Sequence, residues 1–204
     1  MPSRAKVYSA IVILAVAAAI GGLALYYGSS RQFAVLPEPP TVGGPFSLTD
    51  HNGRAVTDAD FRGKYMLVFF GYTYCPDVCP TELQVMTYAV DSMGSKGERI
   101  NPIFISIDPE RDTPEILRAY VENFSPRLLG LTGSPEQIAA VAKAYRAYYK
   151  KSGNTDTSDY LMDHSSIIYL MGPDGLFLKH FTYTTDAKAL AKSLASIVMD
   201  PPKD

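Results

Sequence analysis

The sequence has 204 residues, of which 47% are hydrophobic and 20% charged, ordinary values for one globular domain plus an additional segment. The formal net charge is −2 and no block of lysines and arginines occurs, so the composition gives no electrostatic reason to expect a nucleic-acid partner. Only two cysteines are present, which excludes a disulfide-rich scaffold. Because the two lie close together, a bond between them would add little stability, and chemistry is the better reason for the pair.

The first 30 residues form a distinct apolar segment. From Tyr8 to Tyr27 no residue is charged, and about 20 apolar residues are enough to cross a hydrocarbon core. Arg4 and Lys6 precede this stretch and Arg31 follows it, which favours an orientation with the downstream domain outside. The sequence therefore predicts a membrane anchor at residues 1–30, and a cleaved signal peptide is the alternative.

A linker and one domain follow the apolar segment. Residues 31–43 are rich in proline and glycine and are predicted to be the linker. The domain is predicted to occupy residues 44–204, without internal repeats. At its start, Phe46–Asp50 and Arg54–Val56 flank the dipeptide Asn-Gly, which predicts a β-hairpin with a two-residue type I′ turn.

The rest of the domain alternates predicted strands with predicted helices. The apolar run Tyr65–Phe70 predicts a strand buried on both faces, and Ser134–Gln137 is a capping box that begins a helix. The predicted strands are 65–70, 103–107, 128–131, 167–171 and 176–181, and the predicted helices are 82–93, one that opens at 112–115, 134–149 and 186–198. This pattern predicts an α/β fold with a mixed sheet flanked by helices, in the element order of a thioredoxin-like fold.

Both cysteines lie in the segment Cys75-Pro76-Asp77-Val78-Cys79-Pro80, directly after the first buried strand. Pro80 suits the first helical position, which places Cys79 at or beside the N-cap, where N–H groups and the helix dipole favour a thiolate. Thiolates ligate soft metals and attack disulfides, and three intervening residues leave room for a metal between the sulfurs. Two buried structural cysteines are the alternative. Asp77 is a candidate to orient a ligand, and a solvated turn residue is its alternative.

Among the three histidines, His164 is the candidate ligand. It precedes the predicted strand 167–171, at the sheet edge where the strand 65–70 ends. His51 is expected to be exposed beside a turn, and His180 to be a strand residue. Two thiolates and an imidazole suit Cu(I) and can hold Cu(II) with a further ligand, whereas structural zinc normally takes four protein ligands. Catalytic zinc remains chemically possible.

Three segments resemble the Sco/SenC family of copper chaperones. They are Gly71–Leu83, Ser106–Pro114 and Asp163–Ser165. The resemblance extends over the whole domain, from about Gly44 to Met199. It implies a thioredoxin fold, copper bound by Cys75, Cys79 and His164, and assembly of the binuclear copper centre of cytochrome c oxidase, with subunit II or another copper chaperone as the partner. Asp77 matches the aspartate that the family has between its cysteines.

Two functions can use the same cysteine pair. One is a membrane-anchored chaperone that carries one Cu(I) or Cu(II) ion, and the other is a thiol–disulfide oxidoreductase that reduces the cysteines of the oxidase copper site. A thiol peroxidase is disfavoured, because the chain has no tryptophan and its paired cysteines share one loop. The N-terminus has no Arg/Ser-rich extension, so a bacterial inner membrane with the domain in the periplasm is expected rather than a mitochondrion.

Overall fold

The computed structural model describes residues 4–29, 41–153 and 160–199. The chain divides into two compact units, Met1–Pro40 and Thr41–Asp204. The first contains helix α1, Arg4–Ser29. Among the residues that are described, no helix has both the length and the apolar character needed to cross a membrane, so the predicted anchor is not confirmed. Most of the predicted linker lies outside the described residues.

The second unit combines strands and helices as predicted. Its described strands are β1 (Ser47–Asp50), β2 (Ala55–Thr57), β3 (Tyr65–Gly71), β4 (Ile100–Ser106), β5 (Leu129–Thr132), β6 (Tyr149–Ser152), β7 (Leu161–His164), β8 (Ile167–Met171) and β9 (Phe177–Thr182). Its described helices are α2 (Val78–Asp91), α3 (Pro114–Val121), α4 (Pro135–Tyr145) and α5 (Ala187–Ile197).

Seven strands form a mixed sheet in the order β2-β1-β5-β4-β3-β8-β9. The strands β3, β4 and β5 run parallel, and β8 and β9 continue the sheet in antiparallel pairing beside β3. Every residue of β3 is buried, as its continuous apolar run predicts for a central strand. The α/β fold with a mixed sheet and flanking helices is thereby confirmed. The carboxyl ends of β3 and β4 lie at one edge of this sheet.

The helix boundaries follow local capping chemistry. Ser134 and Gln137 form the predicted capping box, and the Thr113 side chain accepts a hydrogen bond from the Ile116 N–H. Helix α4 ends at Tyr145, before the predicted end at residue 149, because Arg146 adopts a left-handed conformation with φ 56°. This reversal directs the chain into β6.

Two strands were missed by the sequence prediction. β6 and β7 pair with each other as a separate two-stranded sheet, with Tyr149 opposite His164. Their polar composition, including Lys150, Lys151 and Asp163, hides the strand pattern. His164 is therefore the last residue of a strand, whereas the sequence analysis placed it before the predicted strand 167–171 and in no strand of its own.

The type I′ turn predicted between β1 and β2 is wrong. The hairpin closes with three residues, His51–Gly53, and the Gly53 N–H donates to the Asp50 carbonyl at 2.9 Å. Gly53 has φ 80°, but Asn52 does not have positive φ, whereas a type I′ turn requires positive φ at both central residues. Gly53 supplies the left-handed residue of a three-residue hairpin loop.

Candidate metal centre

The cysteine segment connects the end of β3 to the start of α2. Helix α2 begins at Val78 with Asp77 as its N-cap, so Cys79 is the second helical residue and Pro80 the third. The predicted start at Pro80 is therefore two residues late. Proline fits anywhere in the first turn, because the N–H groups there have no partner within the helix. Cys79 still lies at the helix N-terminus, and its side chain is wholly buried.

Gly71 makes room for the buried sulfur at the end of β3. A Cβ atom built on Gly71 would lie 2.7 Å from the Cys79 Sγ and 2.9 Å from the Phe104 ring. Any larger residue would therefore displace either the sulfur or the ring. The central sheet and helix α2 thus fix the position of Cys79 by packing.

The two cysteines are free and have opposite protonation preferences. The pKa of Cys75 is lowered to about 3, chiefly because the Cys79 thiol donates a hydrogen bond to it, with help from the His164 side chain and from backbone N–H groups. One of these is the Cys79 N–H, 3.4 Å from the Cys75 Sγ. The same thiol–thiolate hydrogen bond, followed by burial, raises the pKa of Cys79. The thiolate predicted at Cys79 therefore lies on Cys75, which receives the N–H groups of the helix start.

His164 approaches the cysteines from β7. Its Nε2 lies 3.3 Å from the Cys79 Sγ. Its Nδ1 lies 3.2 Å from the carbonyl oxygen of Ser165, which can only accept a hydrogen bond, so Nδ1 donates there and Nε2 is the nitrogen that faces the sulfurs. The rings of Phe69 and Tyr72 pack edge-on against the imidazole, with centroids 6.1 and 6.0 Å away.

The structure brings all three candidate ligands together. One atom each from Cys75, Cys79 and His164 lie within 4.8 Å of one another. Cys79 is buried, whereas Cys75 and His164 are half-buried. Two sulfurs and an imidazole nitrogen at this spacing form a group able to bind copper.

The remaining candidates lie outside this group. The side chain of Asp77 is exposed and makes no capping hydrogen bond to α2, so its predicted role in orienting a ligand remains a prediction. His51 is half-buried, not exposed as expected, and its Nδ1 accepts a hydrogen bond from the Gly130 N–H at 3.0 Å. His180 is exposed on β9 and stacks on Phe177.

Sequence reasoning gave the segment after β4 the role of a turn and helix start and assigned it no chemistry, although part of it supports the cysteine segment. Asp112 is fully buried and accepts hydrogen bonds from Thr73 Oγ1 at 2.6 Å and Thr73 N at 3.0 Å. Ser106 Oγ donates to the same carboxylate at 2.5 Å. The aspartates that follow the buried strand β4 were the sequence signal for this support. A carboxylate near the end of a buried strand is often buried itself, and it must then accept hydrogen bonds from its neighbours.

A thioredoxin-like sheet that places a Cys-x3-Cys loop beside a histidine defines a class of metal-binding thiol proteins. The chain belongs to the SCO1/SenC family, whose model matches residues 35–199. Human "Protein SCO1 homolog, mitochondrial" is 48% identical over 159 residues, covering 77% of this chain and 53% of its own length. The chain thus spans about half the length of that relative.

Solved structures agree with this assignment. ScoI of Bradyrhizobium japonicum with copper bound has a TM-score of 0.70 and 48% identity, covering 76% of this chain and 98% of that one. ScoI of Arabidopsis thaliana with copper bound has a TM-score of 0.72 and 44% identity, with coverage of 76% and 98%. The fold is therefore that of the Sco proteins.

Proposed function

We propose that this protein is a copper chaperone that binds one copper ion through Cys75, Cys79 and His164. The observation that carries this proposal is the convergence of their three ligand atoms within 4.8 Å. The copper-bound structures of similar Sco proteins support the choice of metal. We further propose that the acceptor is the binuclear copper site in subunit II of cytochrome c oxidase, with another copper chaperone as a second possible partner.

The donor set favours copper over a structural zinc ion. Two thiolates and one imidazole match the trigonal geometry of Cu(I), and a further ligand adapts the set to Cu(II). Structural zinc normally takes four protein ligands, and within the described residues this cluster has three members. An ion held by three groups keeps a position at which another ligand can bind.

The exposure of the ligands suits transfer of the ion to another protein. Cys75 is half-buried, and the residues that follow it, from Pro76 to Val78, are exposed. An acceptor thiolate can therefore reach the ion beside Cys75. Ligand exchange through a shared intermediate needs such access, as thiol–disulfide exchange does.

Copper binding by the full-length chain tests this function. Purified protein should bind one copper per chain, and His164→Ala should weaken Cu(II) binding because an imidazole ligand is lost. His180→Ala is the matched control, since His180 is exposed on β9. Affinities are measured by competition with a chelator of known strength. Equal affinity of His164→Ala and the unaltered protein would refute the assignment of this ligand.

Anchoring of residues 1–30 in a bacterial inner membrane, with the domain in the periplasm, belongs to the same proposal. The uncharged stretch from Tyr8 to Tyr27 supports it. In cells, the chain should remain with membranes after alkaline extraction. Protease added to spheroplasts should degrade the domain. Release of a shortened chain into the periplasm would instead indicate cleavage of a signal peptide.

A thiol–disulfide reductase that acts on the oxidase cysteines is the second candidate. Its supporting observation is the pair of free cysteines, of which Cys75 has a lowered pKa of about 3. The copper-free protein should then reduce an oxidised peptide carrying the acceptor cysteines, and His164→Ala should do so equally well. A rate no higher than without protein would eliminate this activity.

A further inference from the structure

The segment Asp108–Asp112, which we call the aspartate loop, contacts both halves of the proposed copper site. The cysteine half is the segment that contains Cys75 and Cys79, and the histidine half is β7 with His164. It connects β4 to α3, and the chemistry proposed above leaves it without a role. Through Asp112 it holds Thr73, two residues before Cys75, by two hydrogen bonds. These bonds restrain the cysteine half.

Arg111 of the aspartate loop reaches the histidine half. Its Nε donates to Asp108 Oδ2 at 2.5 Å, and its Nη1 donates to the carbonyl oxygen of Tyr160 at 2.9 Å. The guanidinium carbon lies 3.7 Å from the centroid of the Tyr160 ring and 4.6 Å from that of Tyr74. Tyr160 directly precedes β7, and Tyr74 directly precedes Cys75. One side chain therefore joins the residues next to both sets of ligands.

Two further contacts hold Tyr160 in place. Its hydroxyl donates to Asp108 Oδ1 at 2.6 Å, and both residues are buried. Lys151 of β6 lies 4.4 Å from the centroid of the same ring, and its Nζ lies 2.7 Å from an oxygen of Glu110 in the aspartate loop. The start of β7 is thus bound to the loop by hydrogen bonds and ring contacts, and the neighbouring strand β6 is bound to it by an ion pair.

The sheet that carries His164 depends on its contacts with the rest of the domain, which include these and the buried side chain of Met162. It has two strands, β6 and β7, and a two-stranded sheet is at best marginally stable by itself in water. His164 ends β7, so a shift of that strand moves its Nε2 relative to the sulfurs. A displacement of about 1 Å is half the length of a metal–ligand bond of about 2 Å, which is enough to weaken that bond.

We propose that Arg111 is a positioning residue that holds β7 so that His164 faces the two cysteines. Asp108 orients the guanidinium, the guanidinium holds Tyr160, and Tyr160 fixes the first residue of β7. This inference rests on the proposed function where copper is the readout. In this proposal the aspartate loop maintains the geometry of the site, and none of its residues is a ligand of the ion.

Arginine has the chemistry that this position requires. The planar guanidinium donates in two directions while its face stacks on an aromatic ring, whereas the ammonium of lysine is a compact point charge. Arg111→Lys should therefore behave like a loss of function, despite its conserved charge.

The test compares Arg111→Met with Arg54→Met in the full-length chain. Arg54 also donates through Nε to a buried aspartate, Asp50, but it adjoins β2, at the far end of the strand order from β8 and β9. Arg111→Met should lower Cu(II) affinity by roughly 10- to 100-fold, the usual cost of losing a group that orients a ligand, and alter the Cu(II) electron paramagnetic resonance spectrum. Arg54→Met should change neither. Unchanged affinity and spectrum in Arg111→Met would overturn the proposal.

A double-mutant cycle identifies the group through which Arg111 acts. In a His164→Ala background, Arg111→Met should cause no further loss of Cu(II) affinity, because the histidine it positions is gone. An equal loss in both backgrounds would overturn the proposal in favour of a general effect. Tyr160→Phe keeps the ring and removes one hydrogen bond, so it provides the same cycle with a smaller loss if Arg111→Met does not fold.

A measurement without metal separates this inference from the proposed function. In the copper-free protein, Arg111→Met should accelerate amide hydrogen exchange in β6 and β7 while leaving β3 and β4 unchanged. If exchange responds but the unaltered protein binds no copper, the positioning role stands and the proposed function fails. If the protein binds copper but exchange in β6 and β7 does not respond, the positioning role fails.

Discussion

The two halves of the candidate copper site are held in different ways. Cys79 lies at the start of α2 and packs against the end of β3, whose residues are all buried in the centre of a seven-stranded sheet. His164 ends a strand of a separate two-stranded sheet, in which Met162 is buried and the other residues are at least partly exposed. Regions with fewer buried contacts open at lower free energy. The cysteine half is therefore a fixed platform, and the histidine half depends on its attachments.

The largest effect is expected for the protonation state of Cys75 in the copper-free protein, which tests whether the cysteine half already carries a thiolate. With its pKa lowered to about 3 by the Cys79 hydrogen bond, Cys75 should stay a thiolate between about pH 5 and pH 8 and protonate only as the pH falls through that pKa. Its alkylation rate should be nearly constant over this range. In Cys79→Ala the hydrogen-bond donor is lost. The alkylation rate should then fall about tenfold for each unit by which the pH is lowered, as for an ordinary thiol. The same steep fall in the unaltered protein would contradict this picture.

The second test compares single ligands from the two halves. Cys79→Ser should lower Cu(I) affinity by more than roughly 100-fold, because a hydroxyl replaces a soft thiolate that binds the ion directly. Loss of a group that only orients a ligand costs roughly 10- to 100-fold. His164→Ala should cost less, since two sulfurs remain. Competition against a Cu(I)-selective chelator measures both. A greater loss in His164→Ala would reverse the ranking of the halves.

The third test disturbs the platform without removing a ligand. Gly71→Ala places a methyl group within 2.7 Å of the Cys79 Sγ and should lower the free energy of unfolding by about 1–3 kcal/mol through overpacking. Copper affinity should fall with it. Gly53→Ala is the control for a glycine substitution in open space, since a Cβ there meets no atom within 4 Å and its cost is backbone strain alone. Chemical denaturation and chelator competition measure the two effects. Unchanged copper affinity in Gly71→Ala would show that the platform tolerates displacement.

The smallest effect is expected at the exposed attachment of the histidine half. Lys151→Met removes a partly exposed ion pair with Glu110, so the free energy of unfolding should change by less than about 1 kcal/mol. Lys179→Met on β9, where Lys179 also lies near an aromatic ring, is the matched control. If Lys151→Met weakened Cu(II) binding as strongly as Arg111→Met, the exposed contact would be the principal attachment.

Strong periodic patterns and caps made most of the main sheet predictable. The apolar run of β3 and the capping box of α4 each depend on a local rule that the folded chain obeys. The small sheet escaped prediction because charged residues such as Lys150 and Asp163 interrupt the apolar pattern of its short strands, although Met162 is buried in the core. The turn at Gly53 was misassigned because one dipeptide fits both two- and three-residue hairpin loops.

The candidate site was predictable in membership but not in its electrostatics. Spacing and family resemblance indicated Cys75, Cys79 and His164, which the fold brings together. Which sulfur is the thiolate depends on burial and on where α2 begins, and a sequence does not give these. The role of Arg111 depends on a contact with Tyr160, 49 residues away along the chain.

In the copper transfer proposed above, the burial of Cys79 imposes a direction on release of the ion. Its sulfur is covered by the sheet and by α2, so an incoming donor would reach the ion from the side of Cys75 and His164. Displacement must begin at Cys75 or His164, and the bond to Cys79 is the last to break. The proposed chaperone would thus release its ion first from the exposed ligands, and Cys79 would hold the ion until the receiving site had supplied replacement ligands.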